Sequence, residues 1–365
     1  EEYVRAWLPG AITCFHELTL GAGDHKNMTV AQALVTGQPV SLNSISNVEA
    51  SHDPSSNVIL FAQLLTRAGL IIGSFPRYRA TEIGKKIFRM AGYAELVLSY
   101  YDMLQNLHAL LHGEKSYGLD GDVNRDGWLN SRASNSMTAV RVAPYIVEAL
   151  ERDPNLRQCF TPRSGAYLDY GSGGGAMMAA VAGSRFAVDS GMGTFGIDVS
   201  PSAVASAKDF LSRRDLRART SVMCGSILKK DDLKRVSHRM NERRLPGCVA
   251  SINAILHDVG PDKSRVFLRN HADVFGATPL LVTEIYRMPD DVTRPHPNRM
   301  PTTFEFMHTA SGQHLFTEPE LDALLAEEGY TINDRRVHTT MPGVEKGTVH
   351  PHVVTLHCRY ERASG

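Results

Sequence analysis

Two groups of residues in this chain have types and spacings that could carry chemistry. The first is the run Asp169-Tyr-Gly171-Ser-Gly173-Gly-Gly175, which follows a short apolar segment and opens a helical pattern. Glycines at that spacing permit a tight turn and let backbone approach a ligand at the head of a sheet. Asp198 ends the next apolar run, Thr194-Phe-Gly-Ile-Asp198, where a carboxylate can accept both hydroxyls of a ribose. The second group is His257-Asp258, beyond the apolar run that ends in Asn253, together with His308 in Phe304-Glu305-Phe306-Met307-His308. Strand C-termini line the ligand crevice of an open α/β sheet, which places His257 near the cofactor. An imidazole there serves as a general base or as a metal ligand, and the residue alone leaves both roles open.

The glycine run discriminates between two nucleotide cofactors. Dinucleotide sites read G-x-G-x-x-G and cradle a pyrophosphate. Here the pattern is D-x-G-x-G-x-G, with the acid ahead of the glycines. S-adenosylmethionine (SAM) has no pyrophosphate but carries an ammonium group that needs acceptors near the turn, and Asp169 can orient that end. The chain resembles the class I methyltransferases, and the segment Gly-Ile-Asp198-Val-Ser-Pro-Ser-Ala-Val-Ala-Ser-Ala-Lys strengthens the resemblance. Such enzymes often place Gly-Asp after the third strand to hold the adenine amine. Here the pair is Gly225-Ser226, which passes that contact to Ser226 or to backbone. Asn253, at the end of the fourth strand, is assigned to the cofactor as well.

The elements that must position these groups fall into two textures, which sets the expected domains at 1–145 and 146–365. From Tyr167 onward short apolar runs alternate with helical patterns, which predicts a doubly wound, mostly parallel sheet. The first 145 residues read as mostly helical. Residues 28–37 and 58–70 have helical periodicity, and the following IIGSFPRYRAT reads as two extended pieces around a turn, the outline of a winged helix. Residues 94–111 read as a long amphipathic helix with Tyr101, Leu104, His108 and Leu111 on one stripe, expected in the core or in the wall of the active site. The stretch 112–134 reads as a long loop; its segment 120–127 (DGDVNRDG) has a calcium-loop appearance through Asp120, Asp122, Asn124 and Asp126, but lacks the later bidentate Glu and reads as a solvated turn.

Composition narrows the partners. The 365 residues carry 39 basic and 39 acidic side chains, so there is no basic surplus for nucleic acid, and the helical half reads as a dimerisation module. No apolar run spans a bilayer. Five scattered cysteines without C-x-x-C spacing fit a reducing cytoplasm.

The whole outline resembles the small-molecule O-methyltransferase superfamily: a Rossmann-like SAM-binding sheet behind a helical, winged-helix-like dimerisation domain. His257-Asp258, followed some fifty residues on by F-E-F-x-H, resembles the α-keto acid C-methyltransferases of the phenylpyruvate C3-methyltransferase type, as do the Thr-Glu ending strand five and the following FTEPELDALLAEEGY. That resemblance implies an iron, divalent or ferric, or another divalent metal held by His257 and His308, and neutral imidazoles suit iron or zinc. It implies methylation of the β-carbon of a 2-oxo acid through a metal-stabilised enolate, in a homodimer of specialised metabolism. Asp258 then orients His257, binds metal through water or helps remove the β-proton. A guanidinium is expected for the substrate carboxylate, with Arg141 favoured over Arg132. The alternative is a metal-free O-methyltransferase with His257 as base.

Overall fold

The computed structural model describes residues 40–41, 62–63, 65–74, 77–89, 96, 98–118, 121–160, 165–245, 247–287, 308–337 and 353–361. Within these ranges the side chains of residues 40, 41, 86–89, 128, 132, 136, 137, 140, 141 and 247 are not described. The chain divides into two compact units, 1–101 and 102–365.

In the first unit, β2 (Ile71–Ser74) and β3 (Arg77–Ala80) form the antiparallel hairpin expected from IIGSFPRYRAT, and β1 (Val40–Ser41) pairs with the other edge of β3. Leu65, Leu70, Ile71, Tyr78 and Ala80 are buried around it. The helix Glu82–Arg89 follows, and Gly84 lets it approach Leu70, because a Cβ there would sit 1.8 Å from the Leu70 carbonyl oxygen. Residues 28–37 and the start of 58–70 lie outside the described residues, so the hairpin is the part of the expected winged helix that the structure reports.

The second unit is built on seven strands: β4 (Gly165–Tyr170), β5 (Gly193–Asp198), β6 (Thr220–Cys224), β7 (Gly247–Asn253), β8 (Leu280–Ile285), β9 (Tyr330–Val337) and β10 (Val353–Tyr360). Their order is β6-β5-β4-β7-β8-β10-β9. The first five run parallel, and β10 is antiparallel to both β8 and β9. Chain order reverses on either side of β4, which places the switch point, and the crevice, at the C-terminal ends of β4, β5 and β7. β4 is buried along its whole length, as strands covered on both faces are. One face packs Leu168, Tyr170, Phe195, Ile252, Leu256 and Phe267. The other packs Tyr167, Met177, Val249 and Leu281 against Ala143, Ile146 and Leu150 of the helix Ala143–Arg152.

The division of the chain differs from the sequence reading. The compact unit begins at Asp102, where the sequence reading divides the chain after 145, and the helix Ala143–Arg152, which straddles that division, buries its apolar face on the sheet. Residues 101–111 also differ from expectation. The helix breaks at Asn106, whose side-chain amide donates to the Asp102 carbonyl oxygen at 2.8 Å. Leu104 and Leu111 are 38% and 59% exposed and Tyr101 and His108 are exposed too, while Met103 is buried. The stripe faces outward, and the residue beside it enters the core.

Candidate active site

The glycine turn sits at the end of β4, with Gly171, Gly173 and Gly175 at φ +65°, +50° and +85°, a region that L side chains rarely adopt. The Gly171 and Ser172 amides donate to the Ile197 carbonyl oxygen, tying the turn to β5. A side chain at Gly173 would meet nothing within 4 Å, so this glycine faces open space. Gly174 is crowded instead: a Cβ there would lie 2.0 Å from Asn135 Nδ2 and 2.9 Å from Ser131 Oγ, both on the helix Gly127–Met137. Asn135 Oδ1 accepts the Ala176 amide at 3.1 Å, which holds that helix against the turn.

Three side chains converge below the turn. Asp169 Oδ1 accepts from Ser251 Oγ and from Asn253 Nδ2, both at 3.3 Å. Among the described residues, Asn253 Oδ1 and Ser131 Oγ are buried without a hydrogen-bond partner. Burial pushes the Asp169 carboxyl up to about 7, against the two hydrogen bonds. Unpaired buried polar atoms are costly, and this set, an acid and an amide oxygen facing a glycine cradle, fits the ammonium end of SAM.

Asp198, at the end of β5, accepts the Gly173 amide at 2.9 Å through Oδ2 and the Ser200 amide at 2.8 Å through Oδ1. Burial raises its carboxyl, while those two amides and the Arg125 charge oppose the rise. The helix Pro201–Arg213 starts directly after it, capped by Ser200 Oγ on the Ala203 amide. At Gly225-Ser226 the structure supplies a carboxylate that sequence reasoning missed. Asp232 Oδ2 accepts the Ser226 amide at 2.7 Å and lies 3.1 Å from where a Gly225 Cβ would be. Ser226 Oγ accepts the Leu228 amide, so its hydroxyl serves its own loop.

The reaction end forms where β7 gives way to the helix Leu256–Phe275. Glu284 of β8 is fully buried; one oxygen accepts the Ile255 and Leu256 amides at 3.0 and 2.7 Å, and the other lies 2.7 Å from His257 Nδ1. The carboxylate therefore satisfies amides at the helix start and fixes the imidazole in one act. His257 Nε2 points away from Glu284, 3.5 Å from Asp258 Oδ1. His308 is buried with its ring centroid 5.1 Å from that of His257. One ligand atom from each of His257, Asp258 and His308 lies within 4.8 Å of the others. His314 donates its amide to the His257 carbonyl oxygen and Gln313 donates its own to that of His308, which ties the two histidine segments together. Burial disfavours charge on His257, but Glu284 and then Asp258 outweigh it and raise its pKa.

The close hydrogen bond of His257 is to Glu284, and Asp258 stands 3.5 Å from the other ring nitrogen. Asp258 itself takes a two-pronged contact from Arg125, at 2.7 and 3.3 Å, and a further hydrogen bond from Gln313 Nε2. Burial would raise its carboxyl, yet Arg125 and His257 hold it below the usual range. The side chains of Arg141 and Arg132 lie outside the described residues; the Arg141 backbone belongs to the π-helical turn Thr138–Val142. Arg125 comes from the loop noticed only for its acids. There Asp122 accepts from Ser116, Asn124 from the Arg125 amide and Asp126 from the Leu129 amide, Asp120 lies outside the described residues, and the later part of the expected loop is the helix Gly127–Met137. Phe304–Met307 lie outside the described residues. The donor set suits a metal ion: two buried imidazoles, one held by a carboxylate behind it, and a third oxygen ligand within reach.

The fold is that of the class I methyltransferases. A putative O-methyltransferase from Nostoc punctiforme superposes with a TM-score of 0.56 at 14% identity, over 98% of this chain and 97% of that one. Mitomycin 7-O-methyltransferase MmcR matches over 98% of this chain and 96% of its own, at 17% identity and a TM-score of 0.49. The O-methyltransferase NcsB1 from neocarzinostatin biosynthesis, solved with SAM and 2-hydroxy-5-methyl naphthoic acid, matches over 97% and 96%, at 15% identity and a TM-score of 0.45. No protein-family model and no curated protein sequence matches the chain.

Proposed function

We propose that this chain transfers a methyl group from SAM to the β-carbon of a 2-oxo acid at a divalent metal held by His257 and His308. The observation that carries the reading is the second buried imidazole: His308 stands 5.1 Å from a His257 already fixed by Glu284. A lone general base needs no such neighbour, whereas two imidazoles leave open positions for a substrate that offers two oxygens. When bound, SAM supplies an electrophilic methyl group and the metal supplies Lewis acidity that favours loss of the β-proton. Gly171–Gly175, Asp169 and Asn253 receive the amino-acid end of SAM, and Asp198 its ribose. Glu284 fixes the His257 tautomer with Nε2 toward the site.

A second reading is metal-free O-methylation with His257 as base. It is supported by the same His257–Glu284 pair, which would hold a base in place, and by the likeness in fold to the O-methyltransferase from Nostoc punctiforme. Product and metal content separate the two. Purified protein given SAM and a panel of 2-oxo acids should carry metal and yield 3-methyl-2-oxo acids with the ketone intact. Metal-free protein that forms only methyl ethers leaves the second reading standing.

The exposed Leu104 and Leu111 support a homodimer as the working unit. Among the described residues no helix is long and apolar enough to cross a membrane. Cys159, Cys224, Cys248 and Cys358 are free thiols, which supports a reducing, cytoplasmic setting.

A further inference from the structure

We propose that the arginines at the starting ends of β5 and β6 form a docking surface for an acidic polypeptide, a run of carboxylates presented by another protein. The surface lies at the end of the sheet opposite the crevice, so an occupant leaves the candidate active site open. The inference is independent of the reaction read above.

Three observations carry it. The first is density of charge. Residues 213–244 hold eleven Lys and Arg against four Asp and Glu, in a chain with 39 of each. Arg213, Arg214, Arg217, Arg239, Arg243 and Arg244 are exposed. The second is convergence. The helices Pro201–Arg213 and Lys230–Glu242 cover opposite faces of the sheet, with Leu211 in one cluster with Val222 and Val236 in another with Phe195. The chain beyond each helix comes to the start of β5. Thr194 donates its hydroxyl to the Arg219 carbonyl oxygen at 3.3 Å, and the Arg243 guanidinium lies 5.5 Å from the ring centre of Phe195, the next residue. β6, the outermost strand on this side, runs between the two layers. The third is how little of the charge the chain itself uses. Asp209 and Asp232 pair with Arg213 and Arg235, and Arg214 lies over the Phe210 ring at 4.5 Å. Among the described residues no ion pair or hydrogen bond engages the side chains of Arg217, Arg239 or Arg244. Arg235, Arg239 and Arg243 follow at every fourth position, where like charges repel. Arg244 has φ +56°, a conformation that glycine adopts more readily at a helix end. A helix C-terminus favours a cation in its last turn, and this surplus goes beyond that. Guanidinium forks meet carboxylate and phosphate alike, and two features favour carboxylates. Asp215 and Glu242 are exposed among the arginines, where they would repel a polyphosphate and accept a lysine from a protein partner. The chain's net charge of zero gives no long-range pull on nucleic acid.

The test gives the whole chain two fluorescent probes of equal charge, an oligoglutamate peptide and a single-stranded oligonucleotide. Anisotropy is read at about 0.05 M salt, where surface charges are weakly screened. Wild type should bind the peptide more tightly than the oligonucleotide. Arg217→Glu with Arg239→Glu and Arg244→Glu should raise the peptide's Kd about tenfold or more. Arg239→Gln alone should give a loss in the same direction, about two- to fivefold. Reversal of three exposed cations elsewhere, Arg157→Glu with Lys263→Glu and Arg359→Glu, changes net charge equally and should shift Kd by less than about threefold. S-adenosylhomocysteine affinity within about threefold of wild type shows that the variants are folded. Equal losses in the two triple variants would show a response to net charge alone and overturn the inference. Tighter binding of the oligonucleotide, lost in the first triple variant, would assign the surface to phosphate and overturn it as well. So would a wild type that binds neither probe.

Discussion

Glu284 Oε2 lies 2.7 Å from His257 Nδ1 while Oε1 of the same carboxylate accepts the Ile255 and Leu256 amides. One fully buried side chain thus anchors the start of a helix and the imidazole that the helix presents. The strand that carries Glu284 lies beside the strand from which the helix emerges, so sheet order alone brings the three together.

Glu284→Gln keeps the shape but replaces a charged acceptor with an amide. His257 should lose its fixed tautomer and part of its basicity. Metal affinity is expected to fall roughly tenfold to a hundredfold. Competition with a chromophoric zinc chelator measures this directly, and unchanged affinity would remove Glu284 from the site.

His308→Ala separates the two catalytic readings. With the metal reading, bound metal falls below stoichiometry, turnover drops by on the order of a hundredfold or more, and S-adenosylhomocysteine affinity stays as it was. With His257 as a simple base, the same variant is mild and strong chelators leave the rate untouched. Elemental analysis beside steady-state rates decides.

Asp169 sets a pH dependence. Its carboxyl stands at about 7 in the folded protein and at 3.8 in its ordinary state. The folded chain therefore holds a proton that the unfolded chain gives up. Stability from this group is fully present below about pH 4 and is lost as pH rises toward 7, by up to about 1.4 kcal/mol per pH unit. Denaturant titrations of protein free of SAM, at pH 5 and pH 7, should show that loss in wild type and a smaller one in Asp169→Asn.

Asp198→Ala removes the acceptor of the Gly173 and Ser200 amides and the expected ribose partner together. SAM affinity should weaken by about 1–3 kcal/mol, the cost of losing a buried hydrogen-bonding group. Calorimetry that finds SAM bound as tightly as before would take the ribose away from this residue.

Leu104→Glu with Leu111→Glu tests the dimer. Both side chains are exposed, so the folded chain itself should tolerate charge there. Light scattering at micromolar concentration should report a dimer for the wild type and a monomer for the double variant; a wild-type monomer would end the proposal.

The sequence by itself determined the sheet and its glycine turn. Alternating apolar runs and helical periods are local signals, and the glycines 171, 173 and 175 stand at positive φ because the turn admits little else there. The strand ends then follow from topology, so the places of Asp169, Asp198, Asn253 and His257 at or just beyond those ends are legible in the sequence. Only the tertiary structure decided who pairs with whom. Glu284 meets His257 across adjacent strands, Arg125 reaches Asp258 over 133 positions, and Asp232 folds back on Gly225-Ser226 from the next helix. Such pairs leave no period in the chain, because a long side chain buried against a distant partner is specified by packing in three dimensions. The outward stripe of Leu104 and Leu111 shows the same limit: helical spacing tells that four residues share a face, and only the packing around Met103 tells which face turns inward.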